Sequence, residues 1–84
     1  MQYFYTARFL RSLKKCDSAV QDDVISAVAL FEKDNHTKTL KLHKLHGALK
    51  AYYAFNANFS YRVIVKRGKK SIYYMDIGTR DIYK

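Results

Sequence analysis

Basic and phenolic side chains dominate the second half of this sequence. Residues 35–75 contain seven Lys, two Arg and all three His but no Asp or Glu, and Tyr and Phe are interleaved among them. The next segment, residues 73–83, crowds charged and phenolic groups around Gly78. Guanidinium and ammonium groups bind phosphate oxygens, and aromatic rings stack on bases. The pattern therefore predicts a site for RNA phosphates.

The net charge is also concentrated in the second half of the chain. Residues 43–84 hold nine Lys or Arg against two Asp or Glu, which supplies +7 of the formal charge of +9. A field of this sign attracts nucleic acid, an acidic membrane surface or an acidic protein. No apolar run approaches the roughly 20 residues that span a bilayer, and no export signal opens the chain. Nucleic acid is therefore favoured over a membrane.

Length and cysteine usage bound the organisation of the protein. With 84 residues the chain is predicted to form a single domain, residues 1–84. Its one cysteine, Cys16, cannot form an intrachain disulfide and is predicted to be a buried structural thiol. The lack of a disulfide framework indicates the reducing cytoplasm.

Hydrophobic periodicity predicts the first three elements. A strand over residues 3–5 precedes a helix that has Thr6 as its N-cap and ends near Lys15. A second helix, ending near Lys33, is predicted to begin with a capping box formed by Ser18 and Gln21. The two helices are expected to pack as a hairpin.

Alternating apolar residues predict three further strands, over residues 52–57, 59–66 and 71–77, with a hairpin turn at residues 67–70. In the last strand Ile72 and Tyr74 are predicted to face away from Tyr73, Met75 and Ile77. The expected fold is α+β, in the order β-α-α-β-β-β. The helix hairpin would pack on one face of a four-stranded, mainly antiparallel sheet.

Residues 35–50 are less regular and are predicted to form a connecting loop or short helical turn. Spaced leucines would anchor this segment to the core, and the polar residues between them would point outward. The leucines are Leu40, Leu42, Leu45 and Leu49, and the polar residues are Lys41, His43, Lys44 and His46.

Three motifs in this sequence resemble the RelE/ParE superfamily of bacterial toxins. They are Leu42-His43-Lys44-Leu45-His46-Gly47, Tyr61-Arg62-Val63-Ile64 and Asp76-Ile77-Gly78-Thr79-Arg80-Asp81-Ile82-Tyr83. The order of elements agrees with that superfamily along the whole chain. Its RelE and YafQ branches are ribosome-dependent endoribonucleases that cut mRNA in the decoding site, whereas its ParE branch inhibits DNA gyrase.

The closing motif is most similar to that of the RNA-cutting branch. The resemblance implies a bacterial, cytoplasmic mRNA interferase without metal or cofactor, the toxin half of a toxin-antitoxin pair. Its partners would be mRNA, the 30S decoding site and an acidic antitoxin that forms a hetero-oligomer with it. Relatives often carry a catalytic His at the position of Arg80. Arg80 is therefore either a functional replacement or an attenuating substitution. A gyrase inhibitor and a non-catalytic RNA-binding module are the alternatives.

Metal-independent RNA cleavage requires a base for the 2′-hydroxyl, positive charge at the phosphorane oxygens and an acid for the leaving oxygen. Arg62 is predicted to bind the phosphate, with a structural ion pair as the alternative. Arg80 would add a second guanidinium, unless it pairs with Asp76 or Asp81. Tyr83 would stack on a base or donate a proton, or else pack as a C-terminal anchor. Asp81 would orient a basic group or cap the turn.

Histidines and lysines complete the candidate site. His43 and His46 are suited to acid or base chemistry, since imidazole titrates near neutral pH. Their spacing of three also fits a metal pair, but no Cys or nearby carboxylate completes a ligand set. We predict His46 as a catalytic group. The predicted phosphate-binding residues are Lys41, His43, Lys44, Lys50 and Lys66.

Overall fold

Two α-helices pack against one face of a five-stranded sheet. The computed structural model describes residues 1–34, 38–45 and 52–79. The elements are β1 (Gln2–Tyr5), α1 (Ala7–Lys15), α2 (Ser18–Lys33), a 3₁₀ turn (Lys38–Leu40), β2 (His43–Lys44), β3 (Tyr52–Asn56), β4 (Tyr61–Arg67) and β5 (Ser71–Thr79). Neither α-helix in these ranges is long and apolar enough to cross a membrane. The α+β class predicted from the sequence is confirmed.

The strand order across the sheet is β1-β5-β4-β3-β2. β1 runs parallel to β5, and the remaining neighbours are antiparallel. The prediction of four strands was wrong by one, because the segment predicted as a loop or helical turn contains the 3₁₀ turn and β2. Two residues are too few to show the alternation that marks a strand in sequence. Leu40 and Leu45 flank this segment and are buried, as expected.

The main core lies between the helices and the near face of the sheet. α2 contributes Val24, Val28 and Phe31, and the Phe31 ring stacks on Phe55 of β3 with centroids 4.6 Å apart. A smaller cluster of Leu45, Ala54 and Ile64, with Tyr52 and Met75 packed against it, lies on the opposite side, termed the far face. The sheet is therefore apolar on both sides.

A bulge interrupts the pairing of β4 with β5. The register shifts between Ile64 and Val65, so that Met75 is an extra residue on β5. Ile77 consequently joins the helix-side core. The predicted alternation, which put Ile77 on the same face as Tyr73, was wrong beyond the bulge. One inserted residue moves every following side chain to the opposite face of the sheet.

The turn between β3 and β4 displaces the predicted start of β4. Phe59 was placed in this strand but is 87% exposed and lies in the turn, and the strand begins at Tyr61. The Asn58 side-chain oxygen accepts hydrogen bonds from the backbone N–H groups of Ser60 and Tyr61. These bonds form a local turn that alternation of hydrophobicity does not reveal.

Both helices begin at side-chain caps. Thr6 caps α1 as predicted, since its Oγ1 accepts from the backbone N–H of Phe9. The capping box predicted for α2 was wrong. Asp17 is the N-cap, and its Oδ1 accepts from the N–H of Val20 at 3.0 Å. Gln21 instead donates from Nε2 to backbone carbonyls of the preceding turn.

We expect Asp17→Ala to lower the free energy of unfolding by about 1 kcal/mol, because it removes the N-cap acceptor. Ser18→Ala should change it by less than about 0.5 kcal/mol, since Ser18 is exposed in the first helical turn. Urea denaturation of both variants measures the difference. A larger loss for Ser18→Ala would contradict the assignment of the cap.

Glu32 holds a cluster of tyrosines on the helix side. The hydroxyls of Tyr5 and Tyr74 each donate to Oε2 of Glu32 at 2.7 Å. The hydrogen bond to Glu32, followed by burial, raises the pKa of Tyr5 to about 12 from 10.0. Burial, followed by the Glu32 hydrogen bond, also raises the pKa of Tyr74. Both phenols are therefore favoured in their protonated form by folding.

Stability should consequently fall at alkaline pH. A phenol whose folded pKa exceeds its unfolded value contributes stability that is complete below the unfolded pKa. For Tyr5 this contribution is lost as pH rises from about 10 towards about 12. Urea denaturation between these values should show a decline that is smaller in Tyr5→Phe. A decline of the same size in both proteins would contradict the role of this phenol.

Cys16 lies at the end of α1 and is partly buried rather than fully buried. Its thiol donates to the carbonyl of Ser12 at 3.3 Å, and its side chain packs against the main core. Burial, and then the charge of Asp17, raises the pKa of the thiol. These contacts fit the predicted structural role, because a raised pKa reduces the thiolate fraction.

Candidate functional site

Arg62 is the second residue of β4, rather than a mid-strand residue as predicted, and lies on the far face of the sheet. Its neighbours Tyr61 and Val63 belong to the helix-side core, so the alternation of the strand puts Arg62 on the other side. It pairs with Asn56 on β3 and with Gly78 on β5. Gly78 has no side chain to cover the guanidinium from the β5 side. The predicted placement of Arg62 on the sheet surface is thus observed.

The guanidinium of Arg62 is partly unsatisfied. Its Nε is buried and has no hydrogen-bond partner, and Arg62 forms no ion pair within the described ranges. A buried donor left without an acceptor costs about 1–3 kcal/mol, and more when it belongs to a charged group. A phosphate placed here would provide acceptors for the planar fork of the guanidinium. The alternative role, a structural ion pair, is not formed by any described acid.

His43 on β2 shares the far face with Arg62. It pairs with Ala54, which packs in the far-face cluster with Ile64. Its Nδ1 lies 3.0 Å from the carbonyl oxygen of Lys41. A carbonyl only accepts hydrogen bonds, so this contact requires a proton on Nδ1, whether or not Nε2 also carries one. His43, predicted as a phosphate ligand, is therefore held through Nδ1, which leaves Nε2 as the ring nitrogen for a phosphate or a proton.

Lys41 positions the carbonyl that binds His43. Its φ is 53°, the one positive φ of a non-glycine residue in the described ranges. Its N–H bonds to the carbonyl of Lys38, which closes the turn that precedes β2. The Lys41 side chain is exposed, as predicted for a phosphate contact. This left-handed backbone is a local strain of the kind found at functional sites.

The other predicted lysines differ in where they lie. Lys66 is on the far face, four residues after Arg62, and its Nζ lies 6.0 Å from the centroid of the Tyr52 ring. Lys44 is exposed and pairs with Tyr53, which packs against the helix-side core. Lys44 therefore lies on the opposite side of the sheet from Arg62, and the structure does not bring these two residues together.

Five predicted residues lie outside the described ranges, namely His46, Lys50, Arg80, Asp81 and Tyr83. β5 ends at Thr79, which pairs with Tyr61, so the described chain ends next to Arg62. Among the described residues no three His, Cys, Asp or Glu side chains come together to hold a metal ion. The roles assigned to the five residues stay predictions.

Asp76 connects this region of β5 to α1. Its carboxylate accepts from Arg8 Nε at 3.0 Å and from Ser12 Oγ at 2.6 Å. An ion pair between Asp76 and Arg80 was the alternative to a phosphate-binding role for Arg80. The described partners of Asp76 include the cation of Arg8, and Arg80 lies outside the described residues, so both roles of Arg80 stay predictions.

Two further groups lie on the far face and were not predicted as site residues from the sequence. Asn56 pairs directly with Arg62, and directly paired residues share a face. Tyr73 and Phe4 also share this face, since Phe4 pairs with Tyr73 and Tyr73 with Lys66. The strand pairing identifies these positions. Phe4 and Tyr73 lie on strands that are distant in sequence, and the register of Asn56 against Arg62 depends on the turn between β3 and β4.

Solved structures share this fold over most of the chain, although no protein-family model and no curated protein matches it in sequence. The structures include toxins of the YafQ and YoeB/ParE kinds. The chain therefore has the RelE/YafQ-like fold that the resemblance implied.

Three of these structures illustrate the similarity. YafQ from E. coli strain BL21(DE3) matches with a TM-score of 0.80 and 16% identity, over 96% of this chain and 94% of that chain. The YoeB/ParE toxin from Agrobacterium tumefaciens gives 0.73 and 10%, over 95% and 99%. A chain of the E. coli DinJ-YafQ toxin-antitoxin complex gives 0.77 and 16%, over 96% and 93%.

Proposed function

We propose that this protein is the toxin of a toxin-antitoxin pair and that it cleaves mRNA on the ribosome. The observation that carries the proposal is the buried Nε of Arg62, which has no hydrogen-bond partner. Arg62 also forms no ion pair with a described acid. The RelE/YafQ-like fold and the resemblance of the closing motif to the RNA-cutting branch support the same conclusion.

In the proposed reaction the 2′-oxygen attacks the adjacent phosphorus and the bond to the 5′-oxygen breaks. His43 or His46 accepts the 2′-hydroxyl proton. Arg62 binds the phosphorane oxygens, whose charge grows in the transition state. Arg80 adds positive charge, and Tyr83 or a protonated histidine supplies the proton to the leaving 5′-oxygen. The products are a 2′,3′-cyclic phosphate and a 5′-hydroxyl, which balances protons and bonds without a metal.

His43 is close enough to Arg62 to act on the same nucleotide. From ordinary strand spacings, the backbones of these residues, two strands and one row apart, lie about 12 Å from each other. Both side chains start from the same face. A separation of this size accommodates a ribose and its phosphate between the imidazole and the guanidinium in the proposed reaction.

The proposed protein partner is an acidic antitoxin that forms a hetero-oligomer with the toxin. The formal charge of +9 favours such a partner, and one of the fold neighbours is a toxin-antitoxin complex. The antitoxin would neutralise the basic surface and block access of mRNA to it.

Induction of the chain in bacteria, followed by primer extension on a translated reporter, tests the proposal. We expect new 5′ ends within codons, and none in a reporter whose start codon is removed. Intact mRNA together with arrested gyrase in a supercoiling assay would contradict the proposal and favour a ParE-type inhibitor. The Agrobacterium tumefaciens structure carries ParE in its name.

The same assay separates an active toxin from an attenuated one. If Arg80 replaces the catalytic His of relatives functionally, the chain as it stands cuts the reporter. If only Arg80→His cuts it, the chain is an attenuated nuclease. Cleavage by neither protein, with RNA binding retained, would identify a non-catalytic RNA-binding module.

A further inference from the structure

A row of aromatic rings crosses the far face near the β4–β5 hairpin. Phe4 on β1 pairs with Tyr73 on β5, Tyr73 pairs with Lys66 on β4, and Lys66 pairs with Tyr52 on β3. These four residues are termed the aromatic row. Directly paired residues share a face, and Lys66 shares its face with Arg62 by alternation along β4. The row therefore lies on the same side of the sheet as the candidate site.

Two rings of the aromatic row are exposed to solvent. Phe4 is 43% and Tyr73 is 38% exposed, and their rings stack on each other with centroids 5.1 Å apart and an interplanar angle of 18°. The ammonium of Lys66 lies over the ring of Tyr52. Because the two rings stack face to face, each covers one face of the other, and a nucleobase can extend the stack only on an outer ring face.

The charges around the aromatic row favour a polyanion. Lys66 lies within the row, and Lys69 and Lys70 are exposed in the adjoining turn. Residues 35–75 contain no Asp or Glu. The acid of β5, Asp76, accepts from Arg8 and Ser12. Exposed rings beside lysines that pair with no acid among the described residues are the combination that binds single-stranded nucleic acid, since the rings stack on bases and the lysines attract phosphates.

We propose that the aromatic row is a stacking subsite for single-stranded RNA. Bases pack on Phe4 and Tyr73, and Lys66 binds the backbone. The inference rests on the proposed function, in which Arg62 binds the reacting phosphate of an mRNA. Lys66 lies on the same strand and face as Arg62, about 13 Å from it. An mRNA whose reacting phosphate lies at Arg62 would place neighbouring nucleotides on the row. The row thus extends the site from one phosphate to a segment of single strand.

Fluorescence anisotropy with two labelled strands of equal length tests this inference. One strand is an oligoadenylate RNA and the other has the same backbone without bases. We expect the full chain to bind the oligoadenylate at least about tenfold more tightly than the abasic strand. Changing both Phe4→Leu and Tyr73→Leu should remove this preference, because leucine keeps apolar volume but lacks a ring face. Binding of the abasic strand should not change.

Phe59→Leu is the matched control, since Phe59 is an exposed ring outside the row. It should bind both strands as the original chain does. Lys66→Gln should weaken the binding of both strands. It should also reduce the salt dependence of binding by the equivalent of about one phosphate contact. Circular dichroism checks folding, and the single variants Phe4→Leu and Tyr73→Leu replace the double variant if it does not fold.

Equal affinity for the two strands, or oligoadenylate binding that is unchanged in a folded row variant, would overturn the inference. Loss of antitoxin binding alone in the row variants would also overturn it and would identify a protein-docking surface. The assay contains no ribosome, so it is independent of the proposed function. If the chain binds bases through the aromatic row but cuts no mRNA, only the proposed function is overturned. If the chain cuts mRNA but its RNA binding does not depend on the aromatic row, only this inference is overturned.

Discussion

Replacement of Arg62 by methionine is expected to lower the rate of mRNA cleavage by about 100- to 1,000-fold, the usual effect of removing one transition-state donor. Arg62→Lys should lose most of this activity as well, because an ammonium is a point charge without the planar fork. Single-turnover cleavage of mRNA on purified ribosomes measures both rates. The expectation follows from a guanidinium whose Nε has no partner in the described structure.

The loss of cleavage activity in these Arg62 variants should not be accompanied by a loss of stability. Methionine retains the aliphatic stem and removes the buried unpaired donor, so the free energy of unfolding should be unchanged or higher. Arg11→Met is the matched control, since Arg11 is exposed on α1 and should affect neither property. A large loss of stability in Arg62→Met would contradict a role in binding and would indicate a structural ion pair.

Tyr74→Ala is expected to destabilise the protein by about 3–5 kcal/mol, the range for removing a large buried aromatic ring. Tyr74 is fully buried, its ring contacts those of Tyr5, Phe9 and Phe31, and its hydroxyl donates to Glu32. A domain of 84 residues has a total stability of about 4–13 kcal/mol. The loss is a large fraction of this total, so Tyr74→Ala should unfold at a much lower urea concentration than the original chain.

Tyr73→Ala provides the comparison from the adjacent position. Tyr73 lies on the far face and is partly exposed, so its removal should cost less than about 1 kcal/mol. Tyr74→Phe should lie between the two, since it keeps the ring but removes one donor to Glu32. Urea denaturation at neutral pH gives all three values. Equal losses at positions 73 and 74 would contradict the assignment of the two faces of β5.

Elements with strong local signals were predictable from the sequence. The long apolar stripe of α2 and the alternation around Arg62 on β4 gave both elements within a few residues of their observed bounds. Thr6 was recognised as a cap because hydroxyl caps have a simple local signature. Placement of Arg62 on the sheet surface required only the period of a strand.

Features that depend on pairing or on competing local bonds were not predictable. The strand β2 exists because His43 and Lys44 pair with β3, not because of a pattern of their own. The bulge at Met75 depends on register between two strands. Asp17 and Ser18 are both good caps, and their sequence does not rank them.

The candidate site shows the same division. Side-chain type and strand alternation predicted that Arg62 lies on a sheet face as a candidate phosphate ligand. The lack of a partner for its Nε depends on every neighbour in three dimensions. The aromatic row joins Phe4 to Tyr73, which are distant in sequence and adjacent only through the parallel pairing of β1 with β5. Asn56 became a candidate through its pairing with Arg62, and the register of that pair depends on the turn between β3 and β4.

Primer extension on ribosomes programmed with one defined mRNA tests the central claim most directly. Purified protein should produce a 5′ end within the codon in the decoding site. No such end should form with Arg62→Met or when ribosomes are omitted. An intact message with both the original chain and Arg80→His, each shown to be folded, would contradict the account.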